Sequence, residues 1–333
     1  MALELHQLGL SGSFAPSADT YEGAHFPLQG SGAGMPPPTL VDVGKHIRAG
    51  KLSAKGMLIE RLEASIQRQE NFARDSLNGM EAALFVLFVG RFERLKGTDT
   101  FMAAAEWACA TGNVLLLAGE HSHDTQGSAH LDEVFKRFVG PGSPGSCAGR
   151  VVVVQDRAAQ KQLLPLMRAA ADIAIVPSVM EAFGFVSIEA LAHSAAVVAA
   201  NVGGLPDTVM PMLPAARVTG IGGASESRAV QQHTPLLGSL SPGALWTGEL
   251  FSRSATDPDA SVADFLKALR RATSRLEQMH EYDRLVHLAV LQRVAHSYSW
   301  AYSGGATVLK RWESANRIAS KTAAIEAANS LLR

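Results

Sequence analysis

Five short apolar runs recur along the middle of the chain without the apolar–polar alternation of a half-exposed strand. Uninterrupted runs of this kind are typical of strands that are buried on both faces, as in a parallel sheet covered by helices. The runs predict five such strands, at residues 83–89, 114–119, 151–154, 173–176 and 196–200.

Stretches of helical character separate these runs. Residues 101–110 are rich in alanine, and residues 160–172 place apolar side chains at helical spacing. Strands and helices therefore alternate along the chain, and this order favours crossover helices packed on a parallel sheet. We predict a doubly wound, Rossmann-like α/β domain.

The first 80 residues show two different patterns. Residues 1–40 are rich in Gly, Ser and Pro, which predicts loop or extended chain. Within residues 41–70, Leu58, Leu62 and Ile66 fall at i, i+4 and i+8 among charged neighbours. This spacing predicts a helix.

The last third of the chain is predicted to be mainly helical. It begins with a polar, Gly- and Ser-rich stretch at 222–243, which indicates a surface insertion. Three helical stretches follow it: an amphipathic helix marked by Val262, Phe265, Leu266 and Leu269, and two more over about 280–296 and 305–331.

Composition narrows the functional classes. The chain has 333 residues, of which 47% are hydrophobic, so it can form a substantial core. Lys plus Arg number 30 and Asp plus Glu number 31. This balance argues against a general nucleic-acid or membrane-surface binder, which needs a basic excess.

The sequence contains no signal that specifies a cellular compartment or a disulfide framework. No apolar stretch approaches the ~20 residues of a membrane span, and the N-terminus lacks the pattern of a secretory signal. We expect a cytoplasmic protein, or a plastid one if an upstream targeting segment is missing. Cys109 and Cys147 are expected to be reduced thiols without metal-ligand spacing.

The first motif follows the first predicted strand, where ligands of open α/β sheets bind. It runs Gly-Arg-Phe-Glu-Arg-Leu-Lys-Gly over residues 90–97. The glycines at its two ends allow close backbone approach, and Arg91 and Lys96 are cations suited to a diphosphate. A solvated basic turn is the plainer interpretation of this motif alone.

The second motif follows the fourth predicted strand, at residues 177–190. Glu181 lies in a loop, Gly184 near a predicted helix start, and Glu189 within that helix. Free amides at a helix start suit an anion, and the carboxylates could accept hydrogen bonds from sugar and ribose hydroxyls. Alternatively, Glu181 only complements the helix dipole and Glu189 is a surface residue.

The third motif follows the fifth predicted strand, at residues 201–209. The Gly203-Gly204 pair permits a tight turn, and Asp207 or Thr208 could cap a following helix. Taken alone, this motif also fits a simple turn and cap.

Together the three motifs resemble the C-terminal domain of retaining GT-B glycosyltransferases. The shared pattern is Gly-Arg-x4-Lys-Gly, then Pro-Ser-x2-Glu-x-Phe-Gly-x4-Glu-Ala, then Gly-Gly-Leu-Pro-Asp-x-Val, and the match extends over about residues 84–310. Residues 246–251 resemble the Thr-Gly-x-Leu-Phe strand of this group, and residues 298–300 its Phe-Ser-Trp segment.

The resemblance implies a role for each matching residue. Arg91 and Lys96 would bind the donor diphosphate and stabilise the departing nucleotide, Glu181 would hold the transferred sugar, and Glu189 would bind the ribose hydroxyls. The other implied donor contacts are Gly90, Phe183, Gly184, Phe185, Gly203, Gly204 and Leu205.

The implied reaction moves a hexosyl unit, with retention, from a UDP- or ADP-hexose to a glycan or other acceptor. The leaving phosphate is expected to assist, without a cofactor or a metal, since no Asp-x-Asp triplet is present. An α-glucan is one candidate acceptor, because Lys51 and Lys55 resemble the Gly-Lys-x3-Lys-x2-Leu segment of starch and glycogen synthases. The paired glutamates, however, fit the broader family-4 type group better.

The chain departs from the GT-B pattern in several places. Gly119-Glu120-His121 replaces the usual Gly-x-Gly after the second strand, and His193-Ser194-Ala195-Ala196 stands where the group commonly has a Gly and a Pro. His121 and His123 are interpreted as part of a polar loop rather than a metal site. The N-terminal domain that normally supplies the acceptor site is expected to be largely missing, so that this chain alone is expected to bind donor with little or no transfer.

The resulting division of the chain is a flexible or remnant segment (1–40), a helical linker (41–80), a nucleotide-sugar-binding domain (81–300) and a crossover helix (301–333). Two alternatives remain open. One is a non-catalytic nucleotide-sugar-binding or regulatory module, and the other is a sugar-nucleotide epimerase of related architecture. A nicotinamide enzyme is disfavoured because no Gly-x-Gly-x-x-Gly follows the first strand.

Overall fold

The fold is given by a computed structural model, which describes residues 39–66, 80–120, 124–139, 144, 147, 149–211, 246–254 and 256–298. Several predictions lie outside the described residues: those for the N-terminal segment, for the insertion at 222–243, for His121 and His123, and for the chain after 298. The division into domains stays a prediction.

Six parallel strands form one sheet in the order β3-β2-β1-β4-β5-β6. In register, Leu87 of the first strand lies between Leu116 of the second and Ala174 of the fourth. All five predicted strands are confirmed, and the sixth is the segment likened to Thr-Gly-x-Leu-Phe. Their bounds are β1 Phe85–Val89, β2 Val114–Ala118, β3 Val151–Val154, β4 Ile173–Val176, β5 Ala196–Ala200 and β6 Gly248–Phe251.

Seven α-helices of the described residues cover the two faces of this sheet. Helices α2, α3 and α6 pack on one face, and α1, α4, α5 and α7 pack on the other. Helix α3, with a π-helical turn at Phe135–Val139 after it, was not predicted. The helices are α1 Leu40–Ile66, α2 Phe101–Thr111, α3 Thr125–Val134, α4 Arg157–Ala170, α5 Phe185–Ala192, α6 Pro258–Gln278 and α7 Glu281–Ser297.

Aspartate side chains fix where three of these helices begin. Asp124, Asp156 and Asp257 stand at the N-caps of α3, α4 and α6, and each accepts hydrogen bonds from amides of the first turn. Such a cap contributes about 1 kcal/mol to stability. The caps therefore help to set where α3 and α4 start after the loops that follow β2 and β3.

The strands are buried on both faces, as their continuous apolar runs predicted. Along β1, Val86 and Phe88 contribute to the core under α2, α3 and α6. Phe85 and Leu87 point the other way, into the core under α1 and α4. Since successive side chains alternate between faces, a strand covered twice needs apolar residues at every position.

Helix α1 is attached to the amino end of β4 by a buried ion pair. The Lys55 ammonium lies 2.7 Å from an Asp172 carboxylate oxygen, and both side chains are buried. The same carboxylate accepts a hydrogen bond from the Phe85 amide, and Arg284 approaches it from α7. The basic residue Lys55 of the segment likened to starch synthases thus has a structural role in this chain.

Lys51 stands one helical turn before Lys55 and donates to the Ala171 carbonyl. Burial lowers the pKa of Lys51 to about 8, although the charge of Asp172 opposes this shift. Lysine ammonium groups are rarely buried without a partner. The pair of lysines therefore fixes α1 against the segment Ala171–Asp172 that precedes β4.

The two cysteines form a disulfide, so the prediction of reduced thiols was wrong. Cys109 lies in α2 and Cys147 in the segment before β3, with their Cα atoms 4.7 Å apart. The error came from judging the pair by its separation of 38 positions along the chain. Both side chains pack against the same core, and this proximity depends on the tertiary fold.

Ser194, one of the departures from the GT-B pattern, occupies a conformation that favours glycine. It is the single non-glycine residue with positive φ in the described part of the chain, at 55°. The left-handed conformation costs a residue with a Cβ roughly 1–2 kcal/mol. The turn between α5 and β5 thus keeps the geometry of a glycine with a serine in its place.

The strand order places a crevice between β1 and β4. These strands are neighbours in the sheet, but two other strands lie between them along the chain. The connections from β1 and β4 run to opposite sides, so the loops at their carboxyl ends diverge. The first and second sequence motifs follow β1 and β4, and both therefore border this crevice.

Candidate functional site

The loop after β1 is pressed against the loop after β4. Phe92 anchors the first loop in the core, and a 3-10 turn at Arg94–Lys96 follows it. Gly97 has a φ of 77°, and a Cβ there would overlap the Pro177 carbonyl group. Only glycine fits such a close approach at positive φ. The sequence motif thus ends in a glycine where the two loops touch.

This contact brings Lys96 and Glu181 together. The Lys96 ammonium lies 2.8 Å from a Glu181 carboxylate oxygen, and both side chains are largely shielded from solvent. Ser178 donates a hydrogen bond to the same oxygen at 3.2 Å. A cation from the first motif and a carboxylate from the second therefore meet at the carboxyl ends of β1 and β4.

The glycine pair of the third motif lies against the backbone of this site. The Gly204 amide donates to the Glu181 carbonyl oxygen at 3.2 Å. A Cβ at Gly203 would overlap that carbonyl oxygen, and one at Gly204 would crowd Phe183. The turn continues into a 3-10 helix at Leu205–Asp207, so Asp207 and Thr208 do not cap an α-helix. The pair is needed for close packing against the loop of Glu181.

Helix α5 begins beside Glu181 with exposed apolar side chains. Gly184 is its N-cap with a φ of 90°, and no side chain caps the first turn. Phe183 and Phe185 are 47% and 67% exposed, with ring centroids 4.6 Å apart. Uncapped amides at a helix start favour an anion. Leu205 is buried directly beneath Gly184.

Arg91 lies on the same loop as Lys96 but has a different partner. Its guanidinium is 3.0 Å from Glu93, and its side chain is 68% exposed. Gly90 sits at the carboxyl end of β1, where its amide donates to Ala118. Arg91 is therefore exposed and paired with Glu93 rather than with Glu181, and a role in donor binding stays a prediction.

Glu189 lies further along α5 and pairs with Arg168 of α4 at 2.8 Å. The two side chains border a groove between α4 and α5 that is floored by Leu87 and Ala174. Burial lowers the pKa of nearby His193 to about 4, with smaller contributions from the charges of Lys51 and Arg168. Among the described residues, Glu189 makes no direct contact with Lys96 or Glu181, so the ribose role also stays a prediction.

Arg253 was not identified from the sequence, yet it joins the two loops of the site. It follows β6 and donates to both carboxylate oxygens of Asp99 at 2.8 Å. It also donates to the Pro177 carbonyl at 3.0 and 2.7 Å. Asp99 follows Lys96 closely, and Pro177 precedes the loop of Glu181.

The described residues contain neither a metal-binding cluster nor a membrane-spanning helix. They contain no group of three or more His, Cys, Asp or Glu side chains arranged to hold a metal ion. None of their helices combines the length and the apolar character that crossing a membrane requires.

Comparison with known proteins identifies the family. The profile of the family described as "Glycosyl transferases group 1" matches residues 83–252, about half of the chain. A D-inositol 3-phosphate glycosyltransferase of Mycolicibacterium gilvum is 33% identical over 65% of this chain and 45% of its own length. An alpha-maltose-1-phosphate synthase of Mycobacterium tuberculosis is 35% identical over 37% of this chain and 30% of its own length.

A solved structure shows the same fold. The catalytic domain of starch synthase IV from Arabidopsis thaliana, bound to ADP and acarbose, aligns with 83% of this chain and 43% of its own, with a TM-score of 0.53 and 18% identity. The chain spans less than half the length of the curated relatives it matches. The family profile, the shared motifs and the GT-B fold agree, and the chain belongs to the group 1 family of glycosyltransferases.

Proposed function

We propose that this chain forms the donor half of a retaining hexosyltransferase. It binds a UDP- or ADP-hexose in the crevice between β1 and β4, and the hexosyl unit passes to a hydroxyl group of an acceptor. The observation that supports this most strongly is the pairing of Lys96 with Glu181 at 2.8 Å. It unites two of the three motifs at the sheet edge where doubly wound folds bind ligands.

The chemistry of the pair suits the two halves of the donor. When the bond from the sugar to the diphosphate breaks, negative charge develops on the leaving phosphate. The Lys96 ammonium stabilises that charge, as do the amides at the start of α5. Glu181 accepts hydrogen bonds from the hydroxyls of the transferred sugar, whose anomeric carbon becomes electron-poor in the transition state.

Retention follows from attack on the face that the diphosphate leaves. In this mechanism the departing phosphate oxygen accepts the proton of the acceptor hydroxyl, which then forms the new bond to the anomeric carbon on the same face. Lys96 holds the phosphate in place during the exchange. The proposal requires no resident cofactor, because the nucleotide sugar is itself the substrate.

The acceptor is proposed only as a class. The matched relatives are named for transfer to inositol phosphate and for the synthesis of maltose 1-phosphate, and the fold neighbour is a starch synthase. All three names refer to a sugar joined to a polyol, a sugar phosphate or a glucan. We propose a hydroxyl-bearing glycan or polyol acceptor, with an α-glucan as the first to test.

Calorimetric titration of the 333-residue chain with UDP-glucose and ADP-glucose tests the donor site. We expect saturable binding of one of them, with NAD giving none. A transfer assay with a glucan and radiolabelled donor then separates an active enzyme from a donor-binding module. The absence of saturable binding for both sugar nucleotides would contradict the proposal, whereas binding without transfer would favour the non-catalytic alternative.

A further inference from the structure

The Arg253 guanidinium makes four hydrogen bonds that cross between two loops. Two run in parallel to the Asp99 carboxylate at 2.8 Å, and two reach the Pro177 carbonyl at 3.0 and 2.7 Å. The Arg253 side chain is only 8% exposed. A bidentate, largely buried arginine–carboxylate pair fixes orientation as well as distance.

Each partner of Arg253 lies next to a residue of the proposed donor site. Asp99 belongs to the 3-10 turn Thr98–Thr100, which follows the turn that ends at Lys96. Pro177 is the residue between β4 and Ser178, and Ser178 hydrogen-bonds Glu181. One guanidinium thus holds the loop of the cation against the loop of the carboxylate.

A second contact, between backbone groups, joins the same two loops. The Val179 amide donates to the Leu95 carbonyl oxygen at 2.9 Å. With Gly97 packed on Pro177, the loops touch at Leu95, at Gly97 and, through Arg253, at Asp99. Without Arg253, the hydrogen bond at Leu95 would still hold the first loop, but the part of that loop after Gly97 would lose its attachment to the second loop. We therefore expect Lys96 to be displaced rather than removed from the site.

We infer that Arg253 is a positioning residue, which sets the place of the Lys96 ammonium relative to Glu181 and hence to the donor diphosphate. This inference rests on the proposed function. All three guanidinium nitrogens of Arg253 donate to Asp99 or Pro177, and Arg253 acts through Lys96 rather than on the substrate. A small displacement of a binding group is enough to weaken a contact substantially.

Arg271 provides a matched control on the same region of the sheet. It pairs with Glu249 of β6 at 2.9 Å and approaches the Leu250 carbonyl. Its hydrogen bonds reach neither of the two loops. Loss of Arg271 therefore removes an arginine–carboxylate pair near β6 without altering the connection between Lys96 and Glu181.

The test is calorimetric titration of the full chain with UDP and UMP, or with ADP and AMP if adenine is the preferred base. We expect Arg253→Ala and Asp99→Asn each to lower diphosphate affinity roughly tenfold, with a much smaller change for the monophosphate. Arg271→Ala should alter neither. In a chain that already carries Lys96→Ala, Arg253→Ala should cause no further loss, because both changes act on one contact.

Three results would overturn the inference: unchanged diphosphate affinity, equal losses for diphosphate and monophosphate, or losses that add to those of Lys96→Ala. Asp99→Asn preserves the shape of the side chain, and this variant tests the same connection if Arg253→Ala fails to fold. A chain in which Lys96→Ala leaves diphosphate binding intact would instead refute the proposed function. The two failures are therefore distinguishable.

Discussion

Replacement of Lys96 by alanine is expected to weaken UDP or ADP binding by about 1–3 kcal/mol, because a charge-assisted contact to the diphosphate is lost. This corresponds to roughly a fivefold to 150-fold rise in Kd. The change also leaves the Glu181 carboxylate without its cation, and the unpaired charge then repels the phosphate. Isothermal titration calorimetry of the variant beside the wild type measures the effect.

Lys267→Ala is the control for this experiment. Lys267 is an exposed residue of α6, and its loss changes the net charge of the chain by the same amount. We expect its diphosphate affinity to match that of the wild type, since the influence of an exposed surface charge is reduced by screening at moderate salt. Equal affinities of all three proteins would remove Lys96 from the donor site.

The largest expected loss of stability comes from Asp172→Ala, at about 3–5 kcal/mol, because breaking a buried ion pair leaves an uncompensated charge. Lys55 loses its buried counter-ion, the Phe85 amide loses its acceptor, and Arg284 loses a nearby carboxylate. The total free energy of unfolding of most domains is only about 5–15 kcal/mol. Urea denaturation followed by circular dichroism measures the difference.

Two further variants make this prediction decisive. Asp172→Asn retains an acceptor for the Phe85 amide but removes the charge. Its free energy of unfolding should therefore fall by less than that of the alanine variant. Asp132→Ala, at an exposed position of α3, should stay within about 0.5 kcal/mol of the wild type. If Asp172→Ala lowers the free energy of unfolding as little as Asp132→Ala does, the structural role assigned to the pair of Lys55 and Asp172 is contradicted.

The strands were predictable because a strand that is buried on both faces has apolar residues at consecutive positions. The run ALFVLFV contains no polar residue, and the described strand β1 presents Val86 and Phe88 to one core and Phe85 and Leu87 to the other. Helix α3 escaped prediction although its signal was present. Asp124 is a good N-cap residue, and Leu131 and Val134 are buried at helical spacing after it.

The site was only partly predictable. The contact between Lys96 and Glu181 could be anticipated because residues that follow neighbouring parallel strands meet at one edge of the sheet. Arg253 gave no such signal, since it is 154 positions from Asp99 and lies in no recognisable motif. The same holds for the Cys109–Cys147 disulfide and for Arg168 beside Glu189, because these pairings depend on how helices and loops pack in three dimensions.

A crystal structure of the chain with UDP or ADP tests the central claim most directly. The claim predicts the diphosphate at the start of α5, with the Lys96 ammonium about 2.7–3.2 Å from a phosphate oxygen. A nucleotide whose phosphates lie away from Lys96 and from the loop of Glu181 would contradict it.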